Sequence, residues 1–310
     1  MRSENGEWMR ALIIGGTGFI GSALRDELLA RGISTSTIAR SVNTIAHKNL
    51  RHISSSLENF SLIREEISKA DVVFHLAHTN TPASAEHNWN RDISDNLLPL
   101  TEIIKACAQR GSKLIFASSG GTVYGKPTQI PTPEFAPTNP IGVYGLTKLM
   151  SENALRFGHV RSGIPTSILR IANPFGPAQT GEKGQGVIGR FLRSAIDRMP
   201  FEIWGDGSIV RDYVYIDDVV SALLLAADKC SSFHIYNVGS GVGRSLIDIV
   251  DSIERVVGTT LGRTFSEQRQ LDVPVSILDI AKIQEEIGWK PDLDFESHLR
   301  LTFDGLTARH

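Results

Sequence analysis

Cysteine is nearly absent from this 310-residue chain: only Cys107 and Cys230 occur, each inside an apolar helical pattern. That scarcity excludes a disulfide-built scaffold, and both residues are expected as buried free thiols. An excess of one charge sign is missing as well. The net charge of −2 leaves no basic field for nucleic acid or an anionic membrane surface, so any anionic ligand must be held by a local site. No apolar run is long enough to cross a bilayer, and nothing resembles a signal peptide, which points to a cytoplasmic compartment. An apolar fraction of 41% with 21% charged residues excludes a disordered chain. The length fits one large domain or two moderate ones.

What is present begins at Met9. The polar leader "MRSENGEW" before it reads as an extension or an alternative start. Apolar runs at 10–14, 34–39, 71–77, 113–119 and 166–171 read as strands, the third nearly continuous in apolar residues as in a buried parallel sheet. Helical periodicity covers 19–31, 62–69, 97–110 and 144–157. Strand and helix alternate, which predicts an α/β fold with a doubly wound parallel sheet covered on both faces. After Ile171 the chain turns loop-rich, with Pro174, Gly176, Pro177, Gly181, Gly184 and Gly186 ahead of a helix at 187–199. The expected division is a dinucleotide-binding domain at 9–173 and a smaller C-terminal α/β substrate-binding domain at 174–310. A segment at about 208–238 is expected to return to the first sheet.

"GGTGFIG" places Gly15, Gly18 and Gly21 between the first strand and the first helix. Such a loop brings backbone close to a pyrophosphate, and the helix N-terminus adds free N–H groups and partial positive charge. A dinucleotide site of the Rossmann type follows. At the end of the second strand stands "IARS", with Ala39, Arg40 and Ser41 where an acidic residue would bind both ribose hydroxyls. Arg40 in that place favours NADP, with NAD as the alternative.

"YGLTK" sets Tyr144 and Lys148 four apart on a helix, hence on one face. An unperturbed phenol titrates near ~10. A neighbouring ammonium and an oxidised nicotinamide favour the phenolate and are expected to lower that value. The strand ending "SSGGTVYG" should supply a hydroxyl partner, yet Gly120 and Gly121 interrupt it. Ser119 is the expected hydroxyl, ahead of Thr122.

With these motifs stand "HLA" at 75–77, Asn96, "RIANPFGP", "GDGSIVRDYVYIDDV", "YNVGSG" and "RQLD". Together they make the chain resemble the extended short-chain dehydrogenase/reductases, and within them the nucleotide-sugar epimerase group. The resemblance implies cofactor contacts at Gly15, Gly18, Phe19, Ile20, Gly21, Arg40, Ser41, Leu76, Ala77, Asn96, Tyr144 and Lys148. It implies nucleotide-sugar contacts at Asn173, Val187, Arg211 and Arg269, and a homodimer through the Tyr144 helix and the one before it. Tyr213 and Asp217 read instead as packing and helix capping. No metal is needed: His75, His78, His87 and His159 show no ligand-like clustering, and His75 reads as structural.

Three activities are compatible with that resemblance. One is a nucleotide-sugar 4-epimerase working by transient hydride transfer, and another is an NADP-dependent reductase of a 4-keto nucleotide sugar. The third is a cofactor-binding regulatory protein without turnover, against which the Tyr144/Lys148 pair argues. A 4,6-dehydratase fits poorly, because Gly121 and Thr122 stand where that subgroup carries an Asp-Glu pair.

Overall fold

The computed structural model describes residues 9–42, 45–179, 186–267 and 273–308. The leader, Gly181, Gly184 and Arg269 with its "RQLD" motif lie outside the described residues. From the start of the fold, β1 (Ala11–Ile14) feeds α1 (Phe19–Ala30), followed by β2 (Thr35–Ala39), β3 (Leu50–Ser54) and α2 (Phe60–Ile67). Next come β4 (Val72–His75), the short α3 (Pro82–Ala85), α4 (Trp89–Arg110) and β5 (Lys113–Ser119). After a loop follow α5 (Val143–Ser162), β6 (Thr166–Ile171), β7 (Asn173–Phe175), α6 (Val187–Ile196), β8 (Phe201–Trp204) and β9 (Val210–Tyr215). The chain continues with α7 (Ile216–Lys229), β10 (Phe233–Val238), β11 (Gly243–Ser245), α8 (Leu246–Val257) and β12 (Arg263–Ser266). It finishes with β13 (Val275–Ser276), α9 (Ala281–Ile287) and α10 (Phe295–Thr307).

Among the described residues, seven strands form one sheet in the order β10-β6-β5-β4-β1-β2-β3. The pairs β1–β2, β1–β4, β2–β3 and β4–β5 are all parallel. The strand order reverses between β1 and β4, the place where a doubly wound sheet opens a crevice at the carboxyl ends of its strands. This is the expected Rossmann-type architecture. Leu12, Ile14, Val73, Leu114, Phe116 and Ile168 from the strands pack with Ile63, Ile67, Leu100, Ile103 and Leu155 from the helices. Cys107 joins that core; burial pushes its thiol up to about 12, and both cysteines are free and buried.

By internal contacts the chain divides into two units, one of residues 1–123, 140–170 and 220–236, the other of 124–139, 171–219 and 237–310. The segment rejoining the first unit is therefore shorter than the expected 208–238. Pairing explains it: β9 bonds to β7, β11 and β13 in a separate small sheet, so residues before α7 stay with the second unit. Residues 124–139 are a second departure, tied to the second unit by a bridge between Thr132 and Leu278. The second unit also pairs β12 with β8 in parallel.

Helix α4 and strand β3 differ most from the sequence expectation. Helix α4 starts at Trp89, eight residues before the expected 97, because Asn88 caps it by accepting from Arg91 N and its first turns bury polar residues. Strand β3, "LRHIS", is only partly buried at the sheet edge and so lacked an apolar signature. Asp217 lies in the first turn of α7, exposed, where its charge complements the helix N-terminus. Tyr213 is buried, as packing requires.

Candidate active site

The glycine loop is built for close backbone approach. Gly15 has φ +98°, and a side chain there would come within 2.7 Å of Ala77 N. A Cβ on Gly21 would fall onto the Gly15 carbonyl oxygen, which instead accepts a 3.0 Å hydrogen bond from Gly18 N. Gly18 is the N-cap of α1 and supplies no side-chain cap, and the first turn, with Phe19 and Ile20, holds no acidic residue. That leaves amide donors and the positive end of the helix available to an anion. The Thr17 and Ser41 hydroxyls meet at 2.7 Å, joining the loop to the end of β2. Arg40 beside it is exposed. Leu76 N donates to Ile14 O, so the chain after β4 lies along the loop's other side. These features fit a dinucleotide. The two phosphates would be held by the loop and α1, with the ribose toward residues 39–41.

Asn96 acts on this site through backbone. Its amide oxygen accepts from Thr79 N and its Nδ2 donates to Thr79 Oγ1, which fixes the chain after β4, and also to Asp92 O within α4.

The acid–base residues ride on α5. Gly142 precedes that helix with no side chain to cap it, and Glu86 Oε1 reaches in to accept from Val143 N at 2.7 Å. A carboxylate at a helix N-terminus is favourable for the same dipole reason. Gly145 lets the first turn settle against the Thr122 carbonyl, where a Cβ would sit only 2.8 Å away. Two turns further in, Glu152 accepts from Arg170 Nη2 at 2.7 Å and from the Ser118 hydroxyl, all three buried. Removing one partner of such a buried pair typically costs about 3–5 kcal/mol, so α5 is pinned to β5 and β6.

Within this frame Lys148 Nζ donates to Ala117 O at 2.8 Å and lies 5.7 Å from the centroid of the Tyr144 ring. Burial lowers Lys148 to about 8, opposed by the charges of Asp92 and Glu152. Burial first, and the Asp92 charge second, raise Tyr144 to about 12. The expected lowering of the phenol is thus not achieved by the protein's own groups. A half-buried phenol close to a carboxylate stays protonated until a positive charge arrives.

Of the strand-end hydroxyls, Ser118 is committed to Glu152. Thr122 Oγ1 is shielded from solvent and unpartnered. Ser119 closes β5 half-buried, and its carbonyl accepts from Val123 N at 3.2 Å. His75 is buried with neither ring nitrogen hydrogen-bonded. Two groups that spacing did not single out stand beside Tyr144: His78, edge-on to its ring at 4.6 Å, and Asp92, 3.2 Å from His78 Nε2. The available sign was the pairing of Asp92 with Asn96 four residues later, polar residues on one face of a helix whose other inward positions are apolar.

In the second unit, Asn173 pairs with Tyr213 across β7 and β9, and its Nδ2 donates to Asp212 O at 2.9 Å. Arg211, the next residue along β9, donates to the carbonyls of Val210 and Val273. Val187 opens α6 half-buried. Asp212 accepts from Ser240 N, Ser240 Oγ and Gly241 N, which fixes the 239–241 turn beside Arg211.

Comparison with known proteins agrees with this construction. Residues 11–239 match the sequence family described as NAD dependent epimerase/dehydratase family. A dTDP-4-dehydro-6-deoxyglucose reductase of Escherichia coli is 34% identical, the match covering 90% of this chain and 92% of that one. The crystal structure of UDP-glucose 4-epimerase with UDP-glucose from Thermotoga maritima superposes with a TM-score of 0.92 at 32% identity, covering 97% of this chain and 99% of its own. UDP-glucose 4-epimerase of Thermus thermophilus in complex with NAD gives 0.89 at 29% identity, covering 97% and 100%. The chain belongs to the NAD-dependent epimerase/dehydratase family and is an enzyme of nucleotide-sugar conversion that uses a nicotinamide dinucleotide.

Proposed function

We propose that this enzyme interconverts the C4 epimers of a nucleoside-diphosphate hexose. The observation that carries the reading is Tyr144, one helical turn from a buried Lys148 that is itself fixed to the Ala117 carbonyl beside the strand-end hydroxyls. A nicotinamide dinucleotide held by the glycine loop and the N-terminus of α1 would supply reversible hydride acceptance at the sugar carbon. Tyr144 accepts the sugar hydroxyl proton and gives it back, Lys148 adds positive charge, and Ser119 donates to the reacting oxygen. Asn173, Val187, Arg211 and Arg269 are proposed to hold the nucleotide while the sugar turns. A homodimer through α4 and α5 belongs to the same reading, supported by the exposed Leu98, Phe157 and Val160 on those helices.

The test is turnover without reductant. Purified protein given UDP-glucose or UDP-galactose is expected to yield a mixture of both epimers, followed by NMR. A second reading, reduction of a 4-keto nucleotide sugar with NADPH, is favoured by Ala39 and Arg40 and by the likeness to the E. coli reductase. The NAD held by the Thermus relative supports NAD for the epimerase reading. No product from any common UDP-hexose or UDP-N-acetylhexosamine, together with NADPH consumption on a 4-keto sugar, would establish the reductase.

The hydroxyl assignment has its own test. Ser119→Ala is expected to slow turnover roughly a hundredfold with nucleotide-sugar affinity little changed, since one donor to a developing oxyanion is lost. Thr122→Val should be nearly neutral, because its hydroxyl is shielded. A crippled Thr122→Val beside a normal Ser119→Ala reverses the assignment.

A further inference from the structure

A buried polar cluster next to Tyr144 has no part in the steps above. Because α4 begins at Trp89, Asp92 falls in its first turn and is 0% exposed. The chain after β4 returns over it: Asn80 Nδ2 donates to Asp92 Oδ1 at 2.9 Å, and His78 Nε2 lies 3.2 Å from the same oxygen. From α5 the Thr147 hydroxyl turns toward the carboxylate as well, beyond good hydrogen-bond geometry. The His78 ring meets the Tyr144 ring edge-on, with centroids 4.6 Å apart and planes at 70°.

Both members of this pair have settled protonation states. Burial would raise Asp92, but the hydrogen bonds from His78 and Asn80, with the Thr147 hydroxyl turned toward it, outweigh burial and hold the carboxyl at about 2. Burial first, and the Lys148 charge second, bring His78 down to about 4. The tautomer with the proton on Nε2 lets a neutral imidazole donate to the carboxylate, which can only accept. Burying a carboxylate is costly, and an apolar group of the same shape is often as stable or more so. Packing alone does not account for Asp92.

We propose that His78 and Asp92 are a positioning pair for Tyr144: the buried carboxylate fixes the imidazole, and the imidazole fixes the tyrosine ring from its side. The inference rests on Tyr144 being the acid–base group. The arrangement also sets a fixed negative charge against the phenol. The groups facing Tyr144 are Lys148 on its own helix, Asp92 on α4 and His78 from the chain after β4; His75 on β4 stands near Lys148 and His78, and Glu86 accepts from the neighbouring Val143 N. Lys148 favours the phenolate and Asp92 opposes it. Removing the Asp92 charge while keeping its shape should therefore move tyrosine ionisation to lower pH.

The experiment uses the holoenzyme as purified. Tyrosinate absorbance is titrated, with the Tyr144→Phe protein subtracted to isolate the Tyr144 signal. Asp92→Asn is expected to shift that signal down by roughly one pH unit and to move the acid limb of the turnover profile the same way. His78→Ala is expected to lower kcat about tenfold at nearly constant KM, as for a group acting only on the reacting geometry. His78→Phe, which keeps a ring but not the bond to Asp92, should recover only part of that loss. An unmoved tyrosinate signal in Asp92→Asn, or full turnover in His78→Ala, overturns the pair. So does complete recovery in His78→Phe, because the hold of Asp92 would then be irrelevant. Should Asp92→Asn fail to fold, the two His78 variants decide alone. The titration needs no substrate, so it stands even if the sugar assignment fails. Tyr144→Phe with intact turnover would remove the acid–base reading and with it the kinetic role of the pair, whereas an unmoved tyrosinate signal with a crippled Tyr144→Phe defeats the pair alone.

Discussion

Replacing Tyr144 with phenylalanine is expected to lower turnover by about 10²–10⁴-fold, the usual range for a positioned acid–base group. The fold and the bound dinucleotide should be kept. Phenylalanine preserves the ring that packs edge-on against His78 and removes only the oxygen. Helix α5 remains held by Glu86 at its start and by the Glu152–Arg170 pair further along. The measurement is kcat on whichever nucleotide sugar turns over, with melting temperature and dinucleotide content recorded on the same preparation. The size of the loss is informative because Tyr144 stands at about 12 in the protein alone, pushed there by burial and by Asp92. A phenol so reluctant to ionise depends on positive charge beyond that of Lys148, such as an oxidised nicotinamide would carry. Turnover by the variant within a factor of a few of the parent would transfer the proton step to another group.

Replacing Gly21 with alanine should yield protein that binds its dinucleotide about ten- to a hundredfold more weakly. The added methyl would land on the Gly15 carbonyl oxygen, and neither side can yield easily. Gly15 is itself confined at φ +98° against Ala77 backbone, while α1 is anchored in the core through Leu24 and Leu28. Overpacking of this kind costs typically about 1–3 kcal/mol, and about 1.4 kcal/mol corresponds to a tenfold change in binding. The penalty falls on the loop that presents the amide donors. Dinucleotide released by denaturation and quantified by mass spectrometry gives the occupancy, and its identity distinguishes NAD from NADP. Full occupancy in Gly21→Ala would mean that the loop opens without cost and is not the phosphate cradle.

Much of this protein follows from local sequence. "GGTGFIG" between a strand and a helix could form only a tight, side-chain-free turn, and the tertiary structure adds the neighbours that make its glycines necessary. Strand β5 and strand β6 have the bounds their apolar runs predict, because buried parallel strands need continuous apolar residues. Tyr144 and Lys148 share a helix face by spacing alone. Edge strand β3 and the first turns of α4 escaped, the former because its residues are half exposed, the latter because its inward residues are polar. The chain returns to the first sheet with β10, but local sequence does not show that β9 stays out of it, because the partners of β9 are remote in sequence. The same holds for protonation. Four-residue spacing predicts an ammonium near a phenol and hence a lowered phenol, but the sign of the shift depends on how deeply the ring is buried and on Asp92, 52 residues away along the chain. Local sequence determines which groups a segment offers. Desolvation and the placement of distant charges arise only when separate segments pack, and so only the tertiary structure decides how those groups are tuned.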